Sequence, residues 1–174
     1  MGEVVEAVPK SVVDEACSNA KVSVWWFLNN WDAYDESNAL DIKDNIYSAL
    51  AEKKCNGPVS IFCFGDTTLI PYTVWRSLYC TGIPISHVPA VMEDTIYLKI
   101  VVDMMLWATA NPPPANYLLI LGDAPISFVT QLVAPLLQKR GYNIYVSPTQ
   151  NLSEPLLLEQ LAPSDTDSEF HAGN

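Results

Sequence analysis

The sequence predicts an α/β protein in which a mostly parallel sheet of five strands is covered by helices on both faces. Short apolar segments and amphipathic helical segments alternate four times along the chain. Such alternation is typical of parallel strands joined by crossover helices. In addition, 49% of the 174 residues are hydrophobic, which is enough for the sizeable core of a single domain.

The first strand and the first helix follow from residue type and spacing. Residues Lys21–Phe27 are β-branched and aromatic, which is typical of a central strand. Ser37 is placed to cap a helix, and Gly57 and Pro58 are expected to end it. The buried face of this helix is predicted from apolar residues at helical spacing, namely Ile42, Ile46, Ala49 and Leu50.

A second strand, a second helix and a third strand are predicted next. Val59–Phe64 is a short apolar strand, and Pro71 suits the first turn of a helix that Gly82 ends. Ile83–Val88 is the third strand, and its Pro84 indicates an edge position. The residues expected to pack the second helix are Trp75, Leu78 and Tyr79.

The third helix is predicted over about residues 93–109, because three prolines at 112–114 cannot continue it. The fourth strand is Tyr117–Leu121, and the fifth strand is Tyr142–Ser147. Between them Ile126–Arg140 reads as a fourth helix that Pro135 kinks or breaks. One stripe of the third helix contains Ile96, Ile100, Asp103 and Trp107.

The charge distribution divides the chain into three predicted parts. The formal net charge is −11, but residues 20–150 hold eleven acids against eight bases, so much of the acidity lies outside them. We therefore expect a flexible lead at 1–19, a folded domain at 20–150 and an acidic tail at 151–174. No basic stripe predicts tight binding to a phosphate backbone.

Cysteine usage and hydropathy indicate the compartment. The four cysteines form no C-x-x-C pair, and no apolar segment reaches the length of a membrane span. No signal peptide is recognisable. The sequence thus predicts an intracellular protein, cytoplasmic or nuclear, that has reduced thiols and no membrane partner.

Polar side chains follow several of the predicted strands. Asn29 and Asn30 follow the first, Asp66 follows the second and Asp123 follows the fourth. Ligands of parallel α/β sheets bind outside the carboxyl ends of the strands, and carboxylates there are suitable ligands for Mg²⁺ or Mn²⁺. Asp103 can join this group if the inner face of the third helix points that way.

Simpler roles are open for the two most prominent acids. Asp123 can be a turn residue, or the N-cap of the segment that starts near Ile126. Asp103 can be paired with Lys99, which lies four residues earlier on the same helix. Trp31 is the one aromatic residue considered for nucleobase contact. Core packing is expected for Trp25, Trp26, Trp75, Trp107 and His87.

Six short motifs together resemble one family. The segments are Trp25-Trp26, Gly65-Asp66-Thr67-Thr68, His87-Val88-Pro89, Val102-Asp103-Met104 with Trp107-Ala108, Asn111-Pro112 with Pro114-Ala115-Asn116, and Gly122-Asp123. With these segments, the sequence resembles the NYN domain of the meiosis arrest female, or limkain-type, group, which includes many plant members. The similarity covers about residues 21–150.

The resemblance implies a fold, an activity and partners. It implies a PIN-like, Rossmann-like three-layer sandwich and descent from metal-dependent endoribonucleases that use Mg²⁺ or Mn²⁺. It further implies single-stranded RNA as a partner, a role in RNA turnover or regulation of gene expression, and, for some relatives, the peroxisome. By this resemblance Asp103 and Asp123 are the catalytic candidates. The metal-binding candidates are Asp123, Asp103, Asn30 and Asp94.

The sequence departs from the family pattern at four expected acids. Phe27 stands where the family has its leading aspartate, Asn29 where it has glutamate, and Tyr97 and Pro125 where it has further aspartates. Divalent-metal affinity depends on the number of charged ligands. We therefore expect weakly held metal or none, and weak or no endoribonuclease activity. The alternatives are a catalytically inactive module that binds RNA or a protein partner, and a structural assembly domain.

Overall fold

The structure, a computed structural model, describes residues 18–28, 35–89, 93–121, 129–147 and 156–162, with the backbone alone at 93–96 and at residue 132. Its strands are β1 (Val22–Phe27), β2 (Val59–Gly65), β3 (Ile85–His87), β4 (Asn116–Ile120), β5 (Asn143–Ser147) and β6 (Glu159–Gln160). Its helical elements are α1 (Glu36–Glu52), α2 (Tyr72–Cys80), α3 (Glu93–Ala110), a π-helical turn (Val129–Val133) and α4 (Ala134–Lys139). None of the helices in this part of the chain has the length and apolar character needed to cross a membrane.

One sheet contains these strands in the order β3-β2-β1-β4-β5-β6. All neighbouring pairs are parallel except β5 and β6. The predicted α/β class and mostly parallel sheet are confirmed. The sixth strand is an addition to the five predicted, because two exposed residues have no apolar alternation that would indicate a strand.

The parallel arrangement gives the sheet two distinct ends. Each parallel strand ends at what we call the carboxyl end, where the following helix begins, and that helix returns the chain to the amino end. The first residues of α1, α2 and α3 therefore lie near the carboxyl end. Their last residues lie near the amino end.

Helix α1 begins at a different cap from the one predicted. The N-cap is Asp35, whose carboxylate accepts hydrogen bonds from the N–H groups of Ser37 and Asn38 at 3.0 and 2.9 Å. The Asn38 side chain accepts in return from the N–H of Asp35, which completes a capping box. Ser37 lies inside the first turn and donates its hydroxyl to Asp35. These bonds lower the pKa of the Asp35 carboxyl, most of all the bond from Asn38.

Two cores lie on the two faces of the sheet, and adjacent tryptophans belong to different ones. Trp26 packs with mainly aliphatic residues on the side of α1 and α2. Trp25 packs on the side of α3 and α4, where its ring stacks on Phe62 with a centroid distance of 4.5 Å. Both indoles are 1% exposed. The prediction that they form core is therefore confirmed.

Tyrosine hydroxyls attach α3 to the sheet. Tyr117 donates to the carbonyl of Met104 at 3.1 Å. Tyr142 donates to the carbonyls of Ala108 and Asn111, each at 3.0 Å. Burial, with a smaller effect of Tyr142, raises the pKa of the Tyr117 hydroxyl above its ordinary value. These bonds fix the position of the second half of α3.

Helix α2 differs from the prediction in which residues it buries. Its buried residues are Val74, Ser77 and Leu78. Trp75 is 38% exposed and Tyr79 is 71% exposed, so the expectation that they pack the core is wrong. They lie outside the stripe that residues 74, 77 and 78 form at spacings of three and four. With Tyr72 they form an exposed row of rings, with centroid distances of 6.4 and 5.4 Å.

Proline and glycine mark the ends of elements largely as predicted. Gly82 ends α2 at a φ of +75°. Pro84 precedes β3, which is an edge strand. Pro135 lies in the first turn of α4, directly after the π-helical turn. The predicted break in the fourth helix is therefore present.

Candidate functional site

Only part of the predicted site falls on described residues. Asn29, Asn30, Trp31, Asp123 and Pro125 lie outside them. For Asp94 the structure gives its place in the first turn of α3 but no side chain. The side chains that the structure describes around the predicted site belong to Phe27, Phe64, Asp66, His87, Tyr97, Lys99, Asp103 and Ser147.

Asp103 forms an ion pair with Lys99, one turn earlier on α3. The Asp103 side chain is 25% exposed and the Lys99 side chain 49% exposed. Lys99 also lies over the ring of Phe64, with 5.9 Å between Nζ and the ring centroid. Phe64 is near the end of β2, so the Lys99 end of this pair reaches the carboxyl half of the sheet. The pairing of Asp103 with Lys99 that the sequence left open is present.

Two positions where the resemblance expects acids are in contact. Phe27, the last residue of β1, and Tyr97, in the second turn of α3, have ring centroids 5.7 Å apart with planes tilted by 60°. Phe27 is also the register partner of Phe64 on the neighbouring strand. An aromatic surface therefore lies beside the Lys99–Asp103 pair.

Helix α3 places its two candidate acids at different distances from the carboxyl end of the sheet. Tyr97 contacts Phe27 at the carboxyl end of β1, and Trp107 contacts Tyr117, near the start of β4. The helix thus runs from the carboxyl end to the amino end of the sheet. Asp94 and Asp103 are nine residues apart, or about 14 Å along the axis. Asp94 is therefore at the carboxyl end, and Asp103 is deeper along the sheet.

A compact polar turn follows β2. Asp66, whose side chain is 12% exposed, accepts hydrogen bonds from the N–H and the hydroxyl of Thr68 at 2.9 and 2.5 Å. His87 accepts a bond from the N–H of Thr67 at its Nδ1, at 3.1 Å. An accepting Nδ1 carries no proton. The 3.8 Å separation between this atom and Asp66 is therefore not a charged pair.

One residue of this region differs from the prediction, and a second one was not singled out from the sequence. The His87 side chain is 43% exposed, so the expectation of a packed core histidine is wrong. Ser147 ends β5 beside Ile120, the last residue of β4. Its buried hydroxyl has no hydrogen-bond partner among the described residues. In the sequence, Ser147 is marked only by its position as a polar residue at the end of an apolar strand.

The described donors around Asp103 are a poor fit for a cluster of divalent ions. They offer one carboxylate, one ammonium and aromatic rings, whereas Mg²⁺ and Mn²⁺ require several oxygen ligands. Among the side chains that the structure places, no group of three or more His, Cys, Asp or Glu residues is suitable for a metal ion.

The comparisons with known proteins agree with this fold. The sequence matches the NYN domain over residues 21–161, a span that includes all six strands. A search of curated proteins finds no match to the chain. NYN domains are ribonuclease-type domains with a PIN-like fold that typically bind RNA and generally use divalent metals. The match covers most of the chain, which therefore belongs to the NYN domain family.

Proposed function

We propose that this protein is a ribonuclease-like NYN module of the limkain-type group, involved in RNA metabolism or regulation of gene expression inside the cell, whose acidic metal site is degenerate. Its endoribonuclease activity on single-stranded RNA is weak or absent. The observation that carries this proposal is the contact between Phe27 and Tyr97. Where relatives are expected to have two carboxylates facing one cation, this chain has two rings facing each other.

The physical reason is the charge that a divalent cation requires. An aromatic ring offers Mg²⁺ or Mn²⁺ no oxygen ligand, and each lost carboxylate removes a charge that would balance the cation. In addition, Lys99 already neutralises Asp103, so a metal ion would have to displace an ammonium. The remaining candidates, Asp123, Asp103, Asn30 and Asp94, support one weakly held ion at most. Asp103 and Asp123 are the residues on which any cleavage depends.

Restoring the acids tests this proposal directly. We would measure Mn²⁺ binding by calorimetry for the wild type and for a Phe27→Asp/Tyr97→Asp variant. The wild type is expected to bind with a Kd of about 1 mM or weaker. The restored variant is expected to bind at least tenfold more tightly and to gain cleavage of single-stranded RNA.

Matched controls separate charge from size in this experiment. A Phe27→Asn/Tyr97→Asn variant removes the same rings without adding charge, and it should not gain affinity. Adding Asp123→Asn to the restored variant should abolish the gain. Tight binding by the wild type would refute the degenerate site. Failure of a folded restored variant to gain affinity over the asparagine control would also refute it.

The position of the basic residues favours a second candidate function, a catalytically inactive scaffold that binds a protein partner. Lys53 and Lys54 follow α1, and Lys139 and Arg140 end α4, so all four are at the amino end, away from the candidate acids. The two helices also lie on opposite faces of the sheet. Two basic pairs on opposite faces of the sheet do not form a continuous path for an RNA backbone.

RNA binding distinguishes the two candidates. Fluorescence anisotropy with a labelled single-stranded RNA should show salt-sensitive binding if the RNA module is correct. It should show none at physiological salt for a protein scaffold. The basic residues at the two helix ends can be exchanged in pairs for glutamine, as Lys53→Gln/Lys54→Gln or Lys139→Gln/Arg140→Gln.

A further inference from the structure

Phe27 and Tyr97, which we call the ring pair, form an aromatic surface at the carboxyl end of β1. Both side chains are only partly buried where they pack against the core on the α3 side of the sheet. Their planes are tilted by 60°, so the two rings do not cover each other face to face. Ligands of parallel α/β sheets bind at this end. The ring pair is therefore suitable for a flat, aromatic ligand.

A positive charge lies beside the ring pair. Lys99 is 49% exposed, and its Nζ lies 5.9 Å from the ring centroid of Phe64. Phe64 is the register partner of Phe27 on the neighbouring strand, and paired strands are about 4.8 Å apart. One nucleotide can therefore place its base on the ring pair and its phosphate at Lys99. Aromatic rings with an adjacent cation are the usual components of a site for single-stranded nucleic acid.

The rings also change the electrostatics of this end of the sheet. Two carboxylates at positions 27 and 97 would repel a phosphate chain unless a metal cation balanced them. The ring pair carries no charge, and the remaining carboxylate of Asp103 is balanced by Lys99. A phosphate chain can therefore approach this surface without a metal ion. The two substitutions that weaken the metal site thus favour a metal-free contact with RNA.

We propose that the ring pair and Lys99 form a nucleobase-binding site, in which one base of a single-stranded RNA stacks on Phe27 and Tyr97 and the adjoining phosphate binds Lys99 without a metal ion. The inference rests on the proposed function for its ligand, because RNA is what NYN domains typically bind. Asp103 opposes this binding, since it already holds the ammonium of Lys99. The site thus retains RNA that the degenerate metal site does not cleave.

Fluorescence anisotropy in EDTA tests the site with a labelled single-stranded RNA about 12 nucleotides long. The wild type should bind this RNA at low salt, and it should bind the duplex form less, because the bases there are already paired and stacked. Phe27→Leu/Tyr97→Leu removes the ring pair and should weaken binding roughly fivefold or more. Tyr72→Leu/Tyr79→Leu removes two α2 rings that are 72% and 71% exposed, and it should bind like the wild type.

Two changes at the ion pair should shift the affinity in opposite directions. Lys99→Met removes the ammonium, so binding should weaken, and the slope of log Kd against log salt concentration should fall by about 0.7. Asp103→Asn frees the ammonium from its carboxylate, so binding in EDTA should strengthen severalfold. Asp41→Asn is the control, because it removes an equal charge from an exposed position on α1 and should change the affinity little.

Metal dependence and base stacking give two further measurements. The restored variant, Phe27→Asp/Tyr97→Asp, should bind RNA less than the wild type in EDTA and regain binding with Mn²⁺. The wild type should bind equally with and without Mn²⁺. A 2-aminopurine base in the RNA should lose fluorescence on binding to the wild type, because stacking on a ring quenches it. This quenching should be absent with Phe27→Leu/Tyr97→Leu.

The proposal is overturned if the wild type binds no RNA in EDTA, which is the result that a protein scaffold would give. Unchanged affinity of a folded Phe27→Leu/Tyr97→Leu variant, checked by circular dichroism, would also overturn it. If that variant does not fold, equal affinities of Lys99→Met and Asp103→Asn would do so instead. Tight Mn²⁺ binding by the wild type would refute the proposed function, whereas the results in EDTA are obtained without metal and refute only this site.

Discussion

At the amino end of the sheet, polar side chains form hydrogen bonds between segments that are distant in the sequence. At the carboxyl end, they form hydrogen bonds to the backbone of their own loop. Lys21 donates to Asn111 at 2.9 Å, and Asn143 donates to Asn116 at 3.0 Å. At the carboxyl end, Asp35 and Asp66 instead order the backbone of the segments that follow β1 and β2.

This difference suggests that the amino end mainly contributes to stability and that the carboxyl end mainly contributes to binding. The amino end is closed by close contacts and by bonds between distant segments, so substitutions there should unfold the protein. The carboxyl end contains Asp94 and the aromatic positions where relatives are expected to have acids. Substitutions there should change binding more than folding. The following predictions test this contrast in order of decreasing effect.

Gly57→Ala should be the most damaging change. A Cβ at this position would overlap the backbone carbonyl oxygen of Ala20, which cannot rotate away. We expect a loss of roughly 3 kcal/mol in the free energy of unfolding, measured with urea. Gly82→Ala is the control, since it has open space but a φ of +75°, and it should cost only about 1 kcal/mol. Equal losses would show that close packing at the amino end is unimportant.

Tyr117→Phe should make the free energy of unfolding less dependent on pH in the alkaline range. The folded pKa of Tyr117 is raised, so its contribution is complete below the unfolded pKa of about 10 and falls as pH rises toward the folded value. The wild type should therefore lose about 1.4 kcal/mol more per pH unit than the variant above pH ~10. At neutral pH the variant should be about 1 kcal/mol less stable, because the bond to Met104 is lost.

Urea titrations of both proteins at several pH values supply this measurement. Cys63 is buried and its pKa is also raised, but it is present in both proteins and cancels in the difference. Parallel pH dependences of the wild type and Tyr117→Phe would contradict the prediction.

Asp66→Ala should cost about 1 kcal/mol at the carboxyl end, because the N–H and the hydroxyl of Thr68 lose their acceptor. Asp66→Asn keeps an oxygen at the same position and should lose less. Thermal unfolding at neutral pH would measure both variants. A loss as large as that of Gly57→Ala would contradict the contrast between the two ends.

Asp35→Asn should have the smallest effect and should show it only in acid. Asparagine is as good an N-cap as aspartate, so the melting temperature at neutral pH should hardly change. The folded pKa of Asp35 is lowered, so the aspartate contributes stability above its ordinary value of 3.8 and loses it as pH falls further. The wild type should therefore lose more stability than Asp35→Asn below about pH 4. Identical acid melting curves would contradict this assignment.

The fold was predictable because its signals are local and repeated. Apolar strands, Gly82, Pro84 and Pro135 each mark an element that the structure contains. The N-cap was misplaced by two residues because Asp35 and Ser37 are both good capping residues, and only the capping box formed with Asn38 selects between them. The aromatic residues of α2 were misassigned because hydrophobic character alone does not indicate which face of a short helix is buried.

The candidate site was less predictable because it depends on which side chains meet. The sequence identified Phe27 and Tyr97 as departures from the family pattern, but their contact becomes visible only in three dimensions. The pairing of Lys99 with Asp103 was one of two open alternatives, since an (i, i+4) spacing permits it without requiring it. Asp123, Asn30 and Asp94 stay predictions as metal ligands.

Strand β1 is buried on both faces, so its register against β2 and β4 has to be specified by something other than an alternation of apolar and polar residues. A shift by one residue would exchange Trp25 with Trp26, two side chains of equal size, so the apolar pattern alone tolerates the slip. Ser23 does not tolerate it. In the native alignment its hydroxyl accepts the indole N–H of Trp25 at 2.9 Å and faces the carbonyl of Asn116 at 3.5 Å. A slipped strand would carry this hydroxyl, together with the Trp25 indole, into the aliphatic core and away from the carbonyl of Asn116. A single buried polar residue thus favours the native alignment of a strand whose apolar pattern does not define it.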